Sequence, residues 1–164
     1  MAYLTRRGGR QQADKHRAAT AGTWLAYVFP RYSGRACRRG GAKMAKIMVV
    51  DDEATLARVV RDALSGAGHT VFVESDGLTA LTRMLEVQPD LVVSDVMMPG
   101  MGGASLLTAM RDNAYLEEVP VIVMSGLPEE SVVDACPRYS AFIAKPFDLC
   151  AIVDMVDRVL ATRH

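Results

Sequence analysis

The sequence predicts an α/β protein, a five-stranded parallel sheet doubly wound by helices on both faces. Three observations point there. Short apolar runs alternate with longer stretches in which apolar residues recur at helical spacing. The alternation occurs five times between Ala45 and Leu160. The short runs are apolar at nearly every position, as in strands buried on both faces. Repeated strand–helix units join into a parallel sheet through right-handed crossovers.

The elements follow in order. Ile47-Met48-Val49-Val50 reads as the first buried strand. Leu56, Val59, Val60, Ala63 and Leu64 then mark one helical face, which Gly66 and Gly68 end. Thr70 to Val73 is the second strand. Ser75-Asp76-Gly77 makes a turn, and Leu78, Leu81 and Leu85 give the expected inner face of the second helix. Gln88-Pro89 stops it, because the residue before proline disfavours helix. Leu91 to Ser94 is the third strand. The third helix runs from Gly103 to about Asp112, with Leu106, Leu107 and Met110 inward. Val119 to Met124 is the fourth strand, with Pro120 tolerated near its start.

Pro128-Glu129-Glu130 opens a short fourth helix, with proline at the first helical position and acids at the positive end of the dipole. Cys136-Pro137 ends it early. Ala141-Phe142-Ile143 is the fifth strand. Asp148 is the expected cap of the last helix, whose apolar face is Leu149, Ile152, Val153, Val156 and Leu160.

The formal net charge of zero hides a split. Residues 1–43 carry ten Lys/Arg and one acid, Asp14, hence +9; residues 44–164 carry nine Lys/Arg and eighteen acids, hence −9. The first segment is basic and Gly-rich, with one apolar patch from Trp24 to Phe29. Four readings fit it: a nucleic-acid arm, an organelle-targeting segment, a poor signal peptide whose apolar run is short and late, or an upstream extension. Met44-Ala45-Lys46 makes a natural beginning, so the expected division is a basic, disordered extension over 1–43 and a folded domain over 44–164. Cys37, Cys136 and Cys150 are odd in number and form no C-x-x-C, which suggests neither a disulfide framework nor a zinc site; reduced, cytoplasmic thiols are expected. No apolar run approaches the length of a membrane span.

In sheets of this kind ligands sit beyond the carboxyl ends of the strands. Asp51, Asp52 and Glu53 follow the first strand, Asp95 follows the third, Ser125 follows the fourth and Lys145 follows the fifth. Two carboxylates about 4 Å apart repel by about 1 kcal/mol in water and about 4 kcal/mol at an effective dielectric near 20. A hard divalent cation offsets that cost, and Mg²⁺ suits one or two carboxylates with waters and phosphate oxygens. Lys145 offsets it as well. Three carboxylates, Mg²⁺ and a lysine sum to zero charge, a fair resting state for receiving a phosphoryl group. Asp95 is the expected nucleophile.

These motifs carry a resemblance. Ile47–Glu53 (IMVVDDE), Leu91–Gly103 (LVVSDVMMPGMGG), Val121–Gly126 (VIVMSG) and Phe142–Phe147 (FIAKPF) together resemble the response-regulator receiver domain of two-component signalling, over about Lys46 to Leu160. The resemblance implies a flavodoxin-like (βα)5 fold with strand order 2-1-3-4-5. It implies Asp95 as the phosphorylated residue and Mg²⁺ held by Asp52, Asp95 and the main-chain carbonyl of Met97, with Asp51 acting through water. Ser125 takes the place of the switch hydroxyl, Lys145 of the invariant lysine and Phe142 of the switch aromatic, and the Lys145-Pro146 bond is expected to be cis.

The implied partners are a histidine kinase or phosphotransfer protein as donor, and a protein target on the face of the fourth helix, fifth strand and fifth helix. The implied output is by protein contact, from a stand-alone cytoplasmic switch without membrane contact, not a turnover enzyme. Such a switch is a monomer or a phosphorylation-dependent dimer.

Departures from the family pattern matter. The interval from Ser125 to Lys145 is about two residues short, and Cys136-Pro137-Arg138-Tyr139-Ser140 replaces the usual approach to the fifth strand. A clipped fourth helix and an unusual output face are expected. Met97 and Leu127 flank the path of an attacking water and lack polar groups, so slow self-dephosphorylation is expected. Two other function classes compete with this one. A haloacid-dehalogenase-like phosphatase also uses an Asp nucleophile and Mg²⁺, but wants a second acid where this chain has Met97. A nucleic-acid-associated regulator would act through the basic segment.

Overall fold

The computed structural model describes residues 44–162; the readings placed on residues 1–43, 163 and 164 lie outside them. The elements alternate throughout: β1 (Lys46–Val50), α1 (Ala54–Gly66), β2 (Thr70–Glu74), α2 (Gly77–Val87), β3 (Leu91–Asp95), α3 (Gly103–Arg111), β4 (Val121–Ser125), α4 (Glu129–Val133), β5 (Ala141–Ala144) and α5 (Leu149–Ala161). The sheet is wholly parallel in the order β2-β1-β3-β4-β5, as expected.

Both faces of the sheet are covered. Met48, Val50, Val92, Val121 and Val123 pack with Ala80 and Met84 of α2, Leu106, Leu107 and Met110 of α3, and Val132 of α4. The alternate strand residues Ile47, Val49, Val93, Ile122 and Met124 are buried on the other face, as the period of two requires. Ala57, Val60 and Leu64 of α1 and Leu149, Ile152, Val153 and Val156 of α5 are buried in turn. Each such Leu, Ile or Val is worth about 1.5–3 kcal/mol when fully buried. This explains why the strands read as unbroken apolar runs.

Helix ends follow local chemistry. The Asp76 carboxylate accepts the Thr79 N–H at 2.9 Å and caps α2. Asp148 accepts the Cys150 N–H at 2.7 Å and caps α5, as expected. Gln88 ends α2 at φ 50°, directly before Pro89.

Several boundaries and faces differ from expectation. The leucine face assigned to α2 is not the buried one. Leu78 is 64% and Leu85 45% exposed, while Gly77, Ala80 and Met84 are buried and Leu81 lies between. The two stripes have the same spacing and differ by one residue, about a 100° turn of the helix. β4 begins at Val121, two residues later than expected: Pro120 has no N–H to donate, and the Val119 carbonyl accepts from Arg111. α4 has five residues, short as expected, but Pro128 is its N-cap with ψ 149° and not its first helical residue.

Cys136 is a free, buried thiol. No helix among the described residues is long and apolar enough to cross a membrane.

Candidate functional site

The strand registers bring four chemical groups to one edge. Val50 pairs with Ser94, Asp95 with Met124, and Ser125 with Ala144. Asp51 follows Val50 and Lys145 follows Ala144, so the ends of β1, β3, β4 and β5 deliver Asp51, Asp95, Ser125 and Lys145 side by side. The Lys145-Pro146 peptide bond is cis, as expected.

Lys145 joins two acids. Its Nζ donates to Asp51 Oδ2 at 2.8 Å and to Asp95 Oδ2 at 2.8 Å. Asp51 and Asp95 are both buried. The other oxygens are also engaged: Asp51 Oδ1 accepts the Glu53 N–H at 2.8 Å, and Asp95 Oδ1 accepts the Met97 N–H at 3.2 Å. Burial works against the charge of Lys145. The hydrogen bonds and charges of Asp51 and Asp95 outweigh it and hold the ammonium's pKa above its ordinary value.

Asp52 differs from its neighbours. It is exposed, with no hydrogen bond or ion pair among the described residues. Asp51, Asp52 and Asp95 each offer a carboxylate oxygen within 4.8 Å of the others. Three acids around one lysine leave excess negative charge, and an all-oxygen donor set of this kind suits a hard divalent cation.

The remaining groups sit nearby. Ser125 is fully buried, and its Oγ accepts the Leu127 N–H at 2.9 Å. Phe142 on β5 is half-buried and packs against the cluster that holds Val132 and Cys136. The large apolar side chains of Met97 and Leu127 are 63% and 44% exposed.

Two structural residues escaped the sequence reading. Arg111 donates to the carbonyls of Leu116, Glu117, Val119 and Arg138, tying the end of α3 to the turn before β5. Tyr139 donates its hydroxyl to Glu129 Oε1 at 2.7 Å across the clipped α4. The only available signal was a basic residue in the last turn of a helix, which usually meets that helix's own carbonyls.

The architecture and this acid–lysine centre define a class: a parallel α/β domain with a cation-competent acidic site at the strand ends. The chain belongs to the response regulator receiver domain family, which it matches over residues 47–157. It is 33% identical to chemotaxis protein CheY-3 of Vibrio cholerae over 120 residues, 71% of this chain and 92% of CheY-3. It is 27% identical to ycf29 of Pyropia yezoensis, where the match spans only about half (53%) of that protein. The solved structure of the response regulator CheY4 of Vibrio cholerae superposes with a TM-score of 0.67 at 26% identity, covering 71% of this chain and 99% of that one. The chain is therefore a receiver domain of the two-component type, homologous to phosphorylation-activated switches.

Proposed function

We propose that Asp95 accepts the phosphoryl group in this chain. The observation that carries the proposal is Lys145, whose Nζ lies 2.8 Å from both Asp95 Oδ2 and Asp51 Oδ2 within a three-acid cluster. An Asp95 oxygen attacks phosphorus in line, the P–N bond of a donor phosphohistidine breaks, and the imidazole nitrogen leaves. Transfer of this kind needs positioning and charge neutralisation more than covalent help from the protein. Asp52, Asp95 and the Met97 carbonyl are the proposed Mg²⁺ ligands, and bound Mg²⁺ neutralises phosphoryl oxygens. Asp51, buried and bonded to Glu53 and Lys145, is proposed to act through water.

A phosphoryl group on Asp95 draws hydrogen bonds from Lys145 and the Ser125 hydroxyl. Ser125 leaves its bond to the Leu127 N–H, and Phe142 turns into the space released. The shift is driven by the better contacts of the phosphoryl group in one of two states. The proposed donor is a histidine kinase or phosphotransfer protein. The proposed output is a protein target on the α4–β5–α5 face, with the chain acting in the cytoplasm as a switch and not as a turnover enzyme. Residues 44–164 are the proposed functional domain.

Incubation with acetyl phosphate tests the core of this reading. The expected result is a mass increase of one phosphoryl group that requires Mg²⁺ and disappears in Asp95→Asn. Modification that persists in Asp95→Asn, or that ignores Mg²⁺, refutes it.

The phosphorylated state is expected to be long-lived. A water attacking phosphorus needs a polar group to orient it, and Met97 and Leu127 offer only apolar side chains there. Phosphate release from purified phosphoprotein should be slow, and faster in Met97→Asn, Leu127→Glu. A lifetime of seconds in the parent protein, or no acceleration in the variant, contradicts this.

A further inference from the structure

Two glycines lie against the loop between β3 and α3, residues 96–102. At its neck, a Cβ on Gly103 would overlap the carbonyl oxygen of Asp95 and lie 3.0 Å from Val96 Cα. The Gly103 N–H donates to the Val96 carbonyl at 3.0 Å, so the loop closes backbone on backbone. At its outer limb, a Cβ on Gly77 would lie 2.5 Å from the Met101 carbonyl oxygen and 2.7 Å from Met101 Cγ. A rotamer change can move the Cγ but not the carbonyl oxygen, so the loop itself must shift.

Neither glycine has a positive φ. Room, not conformational freedom, is what these positions require. Alanine would otherwise suit the first turn of α2 better than glycine does.

The Met101 contact reaches the site through the next residue. A Cβ on Gly102 would lie 3.0 Å from the Val96 carbonyl oxygen and 3.5 Å from that of Met98. Met97 stands between Val96 and Met98, and its N–H holds Asp95 Oδ1 at 3.2 Å. Met98 is buried in the core, so the loop cannot relax freely on that side. A push on Met101 therefore passes through Gly102 to the peptide units on either side of Met97.

We infer that Gly77, on a helix that lends no side chain to the site, is a positioning residue: its missing side chain sets where the Met97 carbonyl stands relative to Asp95, and thereby sets divalent-cation affinity. This rests on the proposed ligand set of Asp52, Asp95 and the Met97 carbonyl.

Mn²⁺ binding to the full chain, followed by electron paramagnetic resonance, tests the inference beside urea unfolding in EDTA. Gly77→Ala should bind Mn²⁺ about tenfold more weakly, the scale seen when an outer support of a metal ligand is lost. Gly66→Ala should bind like the parent, since a Cβ on Gly66 meets open space. A purely structural role for Gly77 would lower the unfolding midpoint and leave the affinity of the folded protein unchanged, and that result overturns the inference. Should Gly77→Ala fail to fold, Met101→Ala takes its place: it removes the Cγ that rests on α2, and should weaken Mn²⁺ several-fold. Parental affinity in Met101→Ala likewise overturns the inference. Asp52→Asn separates the two levels. If the parent binds no Mn²⁺, or Asp52→Asn binds it equally well, the ligand set itself is wrong and the positioning role falls with it. If both behave as expected while Gly77→Ala and Met101→Ala bind normally, only the positioning role fails.

Discussion

Lys145→Met should destabilise the cation-free protein by about 3–5 kcal/mol, the usual cost of removing one partner of a buried ion pair. Two buried carboxylates share this ammonium, each at 2.8 Å. Without it, Asp51 and Asp95 face each other and Asp52 with no counter-charge, their oxygens within 4.8 Å. A divalent cation occupies the same field of charge. Added Mg²⁺ should therefore restore part of the lost stability, and the variant should bind Mg²⁺ more tightly than the parent because the competing ammonium is gone. Saturation at about a hundred times the Kd returns about 2.7 kcal/mol. Urea unfolding in EDTA and in excess Mg²⁺ measures both quantities. Equal losses under the two conditions would show that lysine and cation do not share the cluster.

The pH dependence has a definite sign. The pKa of Lys145 is raised in the folded state by its two carboxylate partners, against the effect of burial. Its contribution is fully present below the ordinary lysine value of 10.5 and is lost as pH rises through the folded value. The stability gap between the parent and Lys145→Met should be flat from neutral pH to about pH 9 and shrink only above about pH 10.5. A gap that closes near neutrality would contradict the raised value.

Arg111→Ala should cost about 3 kcal/mol, since hydrogen bonds from a charged donor are worth about 1.5–3 kcal/mol each and water replaces some of those lost. One guanidinium serves four carbonyls: Leu116, Glu117 and Val119 from Nη1, and Arg138 from Nη2. Burial pushes its pKa down, with Arg138 adding to this and Glu118 opposing it. The planar fork reaches two loops at once, which a lysine ammonium cannot do, so Arg111→Lys should rescue little. Thermal unfolding measures the effect, with an expected drop of roughly 10 °C for a domain of this size. A loss below about 0.5 kcal/mol, the range of ordinary surface changes, would mean that the turn before β5 holds without it.

The site was legible because each of its members sits at the end of an apolar run. Once the five runs are read as parallel strands, their carboxyl ends must meet along one edge. Asp51, Asp95, Ser125 and Lys145 then gather there whatever the details of packing. The cap at Asp148 was local in the same sense, since its hydrogen bond stays within two residues.

The sequence by itself determined the elements, their order and the acids and lysine at the strand ends, because periodicity and turn chemistry act over a few residues. The tertiary structure alone decided which stripe of α2 turns inward. Leu78, Leu81 and Leu85 and the stripe of Gly77, Ala80 and Met84 share one spacing, and hydrophobicity favours the leucines. Close approach decides otherwise: the start of α2 lies against the Met101 backbone, where only glycine fits. Arg111 is a second case, because its partner at Arg138 lies 27 residues away, beyond the reach of any local pattern.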